Sequence, residues 1–225
     1  MLVQQTQSMS IKELMHTYQN NSIFTKLHVW IRLHTCPFLA IEKLVPRKGV
    51  IIDYGCGHGL FAHLLWYYSK ERIIYGFDIH KRKIEEANKT QKNESKIIFF
   101  EDQNHVAALV KIADCVALLD VLCYLPDRER KELLENFYRQ MDVGATLLIK
   151  DINKSFSLKY FYTYLRELIY VKLLKVTRAK DLNFFKSRSF LKLLEDIGFI
   201  AEIKDLSRGY LYPHTLFVCR KRQRK

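Results

Sequence analysis

The most constraining stretch in this chain is V-I-I-D-Y-G-C-G-H-G-L-F-A, residues 50–62. Val50, Ile51 and Ile52 make an apolar, β-branched run of the kind that forms a strand covered on both faces. Asp53 is expected to close it. Glycine then recurs at alternate positions, Gly55, Gly57 and Gly59, where a side chain would obstruct a sharp turn or the close approach of a ligand. From His58 the apolar residues Leu60, Phe61, Leu64 and Leu65 take up helical spacing. Strand, glycine turn and helix together direct unpaired helix N–H groups into a crevice beyond the strand's carboxyl end. A dinucleotide fingerprint would require a third glycine at position 60, where Leu60 stands, so the spacing argues against an oxidoreductase.

The same alternation continues along the chain. Helices are predicted at 9–20, 22–34, 37–45, 58–70, 80–90 and 127–141, with Ser10 and the Asn20-Asn21-Ser22 step as cap signals and Pro46 as a stop. Strands are predicted at 72–78, 96–100, 114–120 and 145–150. A helix over 187–197, capped by Ser187 and ended by Gly198, leads into strands at 199–205 and 213–220. Strands and helices alternating with short connections imply a parallel sheet covered on both faces, whose ligand site lies outside the strands' carboxyl ends. Asp53, Asp78, Asp102 and Asp120 all fall at predicted strand ends.

The pattern D-x-G-x-G-x-G at 53–59, followed by Asp78 at the end of Ile73-Ile74-Tyr75-Gly76-Phe77, resembles class I S-adenosylmethionine (SAM) dependent methyltransferases. The motifs that carry this resemblance span residues 37–150. It implies a Rossmann-like, seven-stranded, mostly parallel α/β sheet with the last strand antiparallel. It implies SAM as cofactor, the loop Asp53, Gly55, Cys56, Gly57 and Gly59 against its methionine part, and Asp78 with its neighbour Ile79 at the ribose. Asp102, or failing that Gln103, would meet the adenine, and Asp120 would close the site. Val121-Leu122-Cys123-Tyr124-Leu125-Pro126 resembles the stretch on the substrate side. Many relatives carry His where Cys123 stands, so Cys123 is read as an apolar wall. A general base is needed only where the acceptor loses a proton. His28, His34, Tyr124, Tyr212 and His214 are its candidates, and none is selected. Tyr18, His28 and His34 are candidate substrate contacts, and His58 and His63 are read as surface or supporting residues.

Domain organisation follows: an N-terminal helical extension (1–36), a SAM-binding domain (37–220) and a basic tail (221–225). The insertion 152–186 is read as a helical lid, with a long helix over 154–176. With 48% hydrophobic and 27% charged residues, 225 residues suffice for one sizeable core. No apolar run spans a bilayer, and the N-terminus lacks the basic and apolar regions of a signal peptide, so a cytoplasmic setting is expected. Five scattered cysteines without C-x-x-C pairing suggest free thiols and no structural metal.

The charge is uneven. The formal net charge is +13, and residues 151–192 carry ten Lys/Arg against three Asp/Glu, with five more basic residues at 220–225. A basic surface calls for an anionic partner, either a membrane or RNA. Because 154–176 mixes aromatics with Leu, Ile and Val, the favoured acceptor is a hydrophobic small molecule or lipid-like compound, with peripheral contact to an anionic membrane. RNA methylation and non-catalytic SAM binding are the alternatives.

Overall fold

A computed structural model describes residues 10–92, 94–152 and 183–221. The long helix expected at 154–176, most of the 152–186 insertion and the 222–225 end of the basic tail lie outside them. Among the described residues one seven-stranded sheet runs in the order β3-β2-β1-β4-β5-β7-β6. Its strands are β1 (Gly49–Tyr54), β2 (Arg72–Phe77), β3 (Ile97–Phe100), β4 (Cys115–Leu119), β5 (Thr146–Ile152), β6 (Phe199–Asp205) and β7 (His214–Lys221). All neighbours are parallel except β7, which runs antiparallel to both β5 and β6. This is the Rossmann-like α/β sheet expected, reversed strand included.

The α-helices among the described residues are α1 (Ile11–Thr17), α2 (Ile23–Thr35), α3 (Phe38–Glu42), α4 (Leu60–Tyr68), α5 (Lys81–Asn88), α6 (Gln103–Val110), α7 (Asp127–Gln140) and α8 (Ser187–Ile197). Strand residues alternate between two cores, as the two-residue period of a pleated strand requires. Ile51, Cys115 and Ala117 pack with α1–α5. Ile52, Val116 and Leu118 pack with α6, α7 and α8.

Three expectations are corrected. Asp53 does not close β1: it sits within the sheet between Gly76 and Ala117, and the strand runs to Tyr54. Residues 103–110, between the predicted strands 96–100 and 114–120, form α6, whose first turn is capped by the Asp102 carboxylate accepting from Asn104 N–H at 2.9 Å. Ser187 is the first residue of α8, not its cap, and its hydroxyl meets Thr215 at 3.4 Å instead. Gly198 does end α8, in the left-handed conformation at φ 117°.

Two polar clusters tie the N-terminal helices to the sheet domain. Ser10 and Glu13 form a reciprocal capping box on α1, and Ser22 caps α2 through Thr25 N–H at 3.2 Å. The Glu86 carboxylate on α5 then accepts from Asn21 Nδ2 (3.0 Å), Ser22 N–H (3.1 Å) and Thr25 Oγ1 (2.9 Å). Partial burial works against its charge, but these donors and Lys89 hold it down at about 2. The second cluster surrounds Arg72, which is fully buried. Its guanidinium donates to Glu42 (2.8 Å) and to the carbonyls of Leu65 (2.6 Å), Pro46 (2.7 Å) and Val45 (3.0 Å). With that set of acceptors a buried cation is satisfied, and α3, α4 and β2 are joined at one point.

Candidate active site

The strand order reverses between β1 and β4, and in open α/β sheets that is where the crevice forms. Gly55, Gly57 and Gly59 all have positive φ (80°, 57° and 78°). They are not equivalent. A Cβ on Gly55 would lie 2.4 Å from Val121 Cγ2, and one on Gly59 2.4 Å from Phe99 Cζ, whereas one on Gly57 would meet nothing within 4 Å. Gly55 and Gly59 are therefore required by packing, and Gly57 borders open space. The loop is pinned to β2: Gly55 and Cys56 N–H both donate to the Phe77 carbonyl (2.7 and 2.9 Å), and Gly57 N–H donates to Asp78 Oδ2 (3.0 Å). Asp78 Oδ1 accepts from His80 N–H at 2.8 Å, so each oxygen keeps acceptor capacity for a ligand.

The crevice encloses about 970 Å³, counting space open to solvent. Its floor holds Asp53, Gly55, Cys56, Gly57, His58 and Asp78. Asp53 is 2% exposed, and its Oδ2 has no hydrogen-bond partner among the described residues. Burial pushes its carboxyl up to about 7, against the opposing backbone N–H of Ala62. Across the crevice stand Val29, Ile31, Arg32 and Phe38 from the N-terminal helices, with Leu119, Asp120 and Tyr124.

Asp120 sits at φ 60°, a left-handed conformation uncommon outside glycine and found more often at functional sites. Its carboxylate accepts from Arg32 Nη1 (2.7 Å) and from the buried Lys150 Nζ (2.5 Å). Burial alone would raise this carboxyl, but the two cations outweigh it and hold it well below the usual carboxylate range. Behind it, burial and the Asp120 charge push Asp151 up to about 7. Burial together with Lys150 brings His214 down to about 3, so it is a neutral imidazole at pH 7. Arg32 lines the crevice, and its guanidinium lies 5.4 Å from the Phe38 ring centroid. Lys83 of α5 also lines the crevice, and the sequence pattern marks none of Arg32, Lys83 and Lys150 as a site residue.

The other residues fall as follows. Asp53, Gly55, Cys56, Gly57, Asp78 and Asp120 line one crevice. Gly59 faces Phe99 behind the loop. Ile79 is 50% exposed, Gln103 is exposed in α6, and the Asp102 carboxylate is taken up by the α6 cap and by His105 at 3.0 Å. None of these four lines the crevice. Of the base candidates, His28 and Tyr124 do. His34 is exposed with Nδ1 on the Trp30 carbonyl, Tyr212 is buried, and His214 is turned to the Thr35 carbonyl at 2.7 Å. Tyr18, a candidate substrate contact, does not line the crevice: it is fully buried and donates to the His58 carbonyl at 3.0 Å. His63 is likewise buried, against Thr90. Cys123 packs against Ile152 and Phe184 beside the crevice.

The site suits a ligand with a cationic centre, a diol and a carboxylate. Asp53 offers an unpartnered acceptor, Asp78 has spare lone pairs, Arg32 has spare donors, and the space over Gly57 is clear. A doubly wound sheet with these groups at its switch point is an α/β fold with its ligand crevice where nucleoside-type cofactors sit in such sheets. The chain belongs to the methyltransferase-domain family, whose profile matches residues 32–201. The sheet order and its reversed last strand are those that the resemblance to class I SAM-dependent methyltransferases implies.

Similar solved structures agree in fold. An O-methyltransferase family protein from Burkholderia thailandensis aligns with a TM-score of 0.69 at 15% identity, over 90% of this chain and 59% of that one. Human N-acetylserotonin methyltransferase, in complex with SAM, aligns at 0.66 and 17% identity, over 95% of this chain and 57% of the other. A SAM-dependent methyltransferase from Methanosarcina mazei aligns at 0.59 and 20% identity, over 82% of this chain and 98% of its own. The chain thus spans less than two thirds of the first two. No curated protein sequence matches it significantly.

Proposed function

We propose that this protein transfers a methyl group from SAM to an apolar small-molecule or lipid-like acceptor. The observation that carries this reading is the composition of the wall facing the glycine loop: Val29, Ile31, Phe38 and Leu119, broken by Arg32 and Tyr124. Bound SAM supplies an electrophilic methyl and its own leaving group. What remains for the chain is binding and orientation. Asp78 would accept from the ribose hydroxyls, Asp53 would meet the α-ammonium and Arg32 the α-carboxylate. The apolar wall excludes water and holds the acceptor in line, and well-oriented reactants gain roughly 7–11 kcal/mol from such positioning. For an acceptor that must lose a proton, His28 and Tyr124 are the base candidates within reach of the crevice. Asp102, Gln103, Ile79 and Gly59 lie outside the crevice lining.

The test has two stages. Calorimetric titration with SAM, S-adenosylhomocysteine and NAD should give saturable binding of the first two and none of the third. Labelled SAM is then incubated with a total lipid extract, a set of phenols or total RNA. Label in organic-extractable products supports the proposal. Label in RNA alone, weakening steeply with salt, would replace it with the RNA reading. Tight cofactor binding with no labelled product in any pool would leave a non-catalytic SAM-binding protein.

A further inference from the structure

We infer that the outer face of α2 is a membrane-docking surface that seats the mouth of the crevice on an anionic bilayer. Phe24 is 81% exposed, Ile23 71%, Leu27 54% and Trp30 49%. Positions 23, 24, 27 and 30 fall on one side of a helix. One bare apolar residue requires no explanation, but four on a single helix face form a patch of the kind that marks an interaction site. The helix is already packed on its other side, where Thr25 and Val29 are buried, and Ile31 and Arg32 line the crevice. The exposed crest and the crevice wall are therefore two faces of one helix.

Charge decides the occupant. The helices around the patch, α1, α2 and α5, carry six Lys/Arg against three Glu, and a second copy would bring the same positive excess to the contact, which disfavours self-association. An anionic lipid surface is complementary. Lys81 and Arg82 are exposed on α5, the helix that Glu86 ties to the start of α2, and Lys12 is exposed on α1. Apolar residues including Trp, flanked by Lys and Arg whose stems reach along the interface, are the composition of an interfacial helix. No helix among the described residues is long and apolar enough to cross a membrane, so contact through these residues would be peripheral. This inference rests on the apolar-acceptor reading for its purpose: a crevice opening at the lipid surface would receive its acceptor from there.

Docking is measured without any acceptor, by flotation of the full chain with vesicles of phosphatidylcholine alone or mixed equally with phosphatidylglycerol. Flotation is expected with the mixed vesicles only. In the Phe24→Ser/Leu27→Ser variant it should fall about tenfold or more, since each of those side chains is worth more than 1 kcal/mol on burial. Titration with S-adenosylhomocysteine should be unchanged in the variant. Trp30 and Trp66 are the two tryptophans, so in Trp66→Phe a blue shift of the remaining emission on adding mixed vesicles reports Trp30 directly. Equal flotation of parent and variant, an absent shift, or a lipid-free dimer abolished by the variant would overturn the inference. A parent that methylates an apolar acceptor yet does not float rejects the docking alone. A parent that floats but methylates no apolar acceptor retires the acceptor reading and leaves the docking standing.

Discussion

Between Asp53 and His80 the crevice is held by main-chain groups: two N–H groups on the Phe77 carbonyl and two more on the Asp78 carboxylate. On the facing side it is held by side-chain charge, with Arg32 from α2, Asp120 from the end of β4 and Lys150 from β5 meeting at 2.7 and 2.5 Å. The first wall is assembled within fewer than thirty residues of chain, and a strand, a turn and a helix suffice to set its shape. The second exists only once the N-terminal helices have closed over the sheet. The two walls should therefore fail differently: damage to the first should cost cofactor affinity, and damage to the second should cost stability.

The largest effect is expected at Asp120. Its replacement by Ala leaves the fully buried Lys150 and the partly buried Arg32 without their shared anion, and breaking a buried pair in this way costs about 3–5 kcal/mol. Chemical denaturation should register that loss, and adding Lys150→Met should recover much of it. A loss below about 1 kcal/mol, the scale of an exposed pair, would show that the cluster does not hold the wall.

Asp78→Ala should give the contrasting result. Removing the anchor of Gly57 and His80 together with the proposed ribose acceptor is expected to weaken S-adenosylhomocysteine about 100-fold, or roughly 2.7 kcal/mol, by calorimetry. The melting temperature should move much less than for Asp120→Ala. Comparable losses of stability in the two variants would erase the distinction between the walls.

The smallest effect sharpens the comparison, because Asp53 faces both walls. With its carboxyl near 7, burial being the cause, a cationic ligand is met by a protonated group below that pH and by a carboxylate above it. Affinity for S-adenosylhomocysteine should rise about tenfold from pH 6 to pH 8 with release of a proton, so the binding enthalpy should depend on the buffer. Asp53→Asn should flatten that profile. The stability effect has the opposite sign. The folded pKa lies above the unfolded one, so the contribution of protonated Asp53 is present in acid and lost as pH rises through about 7. The variant's melting temperature relative to the parent should therefore increase over the same range.

Sequence pattern revealed the first wall because its causes are local. Glycine spacing, a β-branched run and an acid at the next strand's end lie within one window, and Asp53, Gly57 and Asp78 do meet in the crevice. Asp102 is less legible. A polar residue after a strand can serve a ligand or cap a helix, and the Val106 and Val110 spacing that signals α6 is only two positions long. Arg32 and Asp120 are 88 residues apart, and no periodicity links an arginine among helix-surface residues to one particular carboxylate. The buried Lys150 in β5 breaks an apolar run in the sequence, a departure from pattern that points to a buried partner without naming it.

The hydroxyl of Tyr18 on the His58 carbonyl has a consequence for how the chain can be divided. A boundary drawn at residue 36 on composition separates a helical prefix from a domain, yet that cut would strand a carbonyl of the glycine loop, three acceptor contacts of Glu86 and one cation of Asp120. Shortening the protein to its apparent catalytic unit is thus expected to loosen the loop itself. The prefix is a missing side of the vessel, and an affinity measured on the shortened chain would describe a different protein.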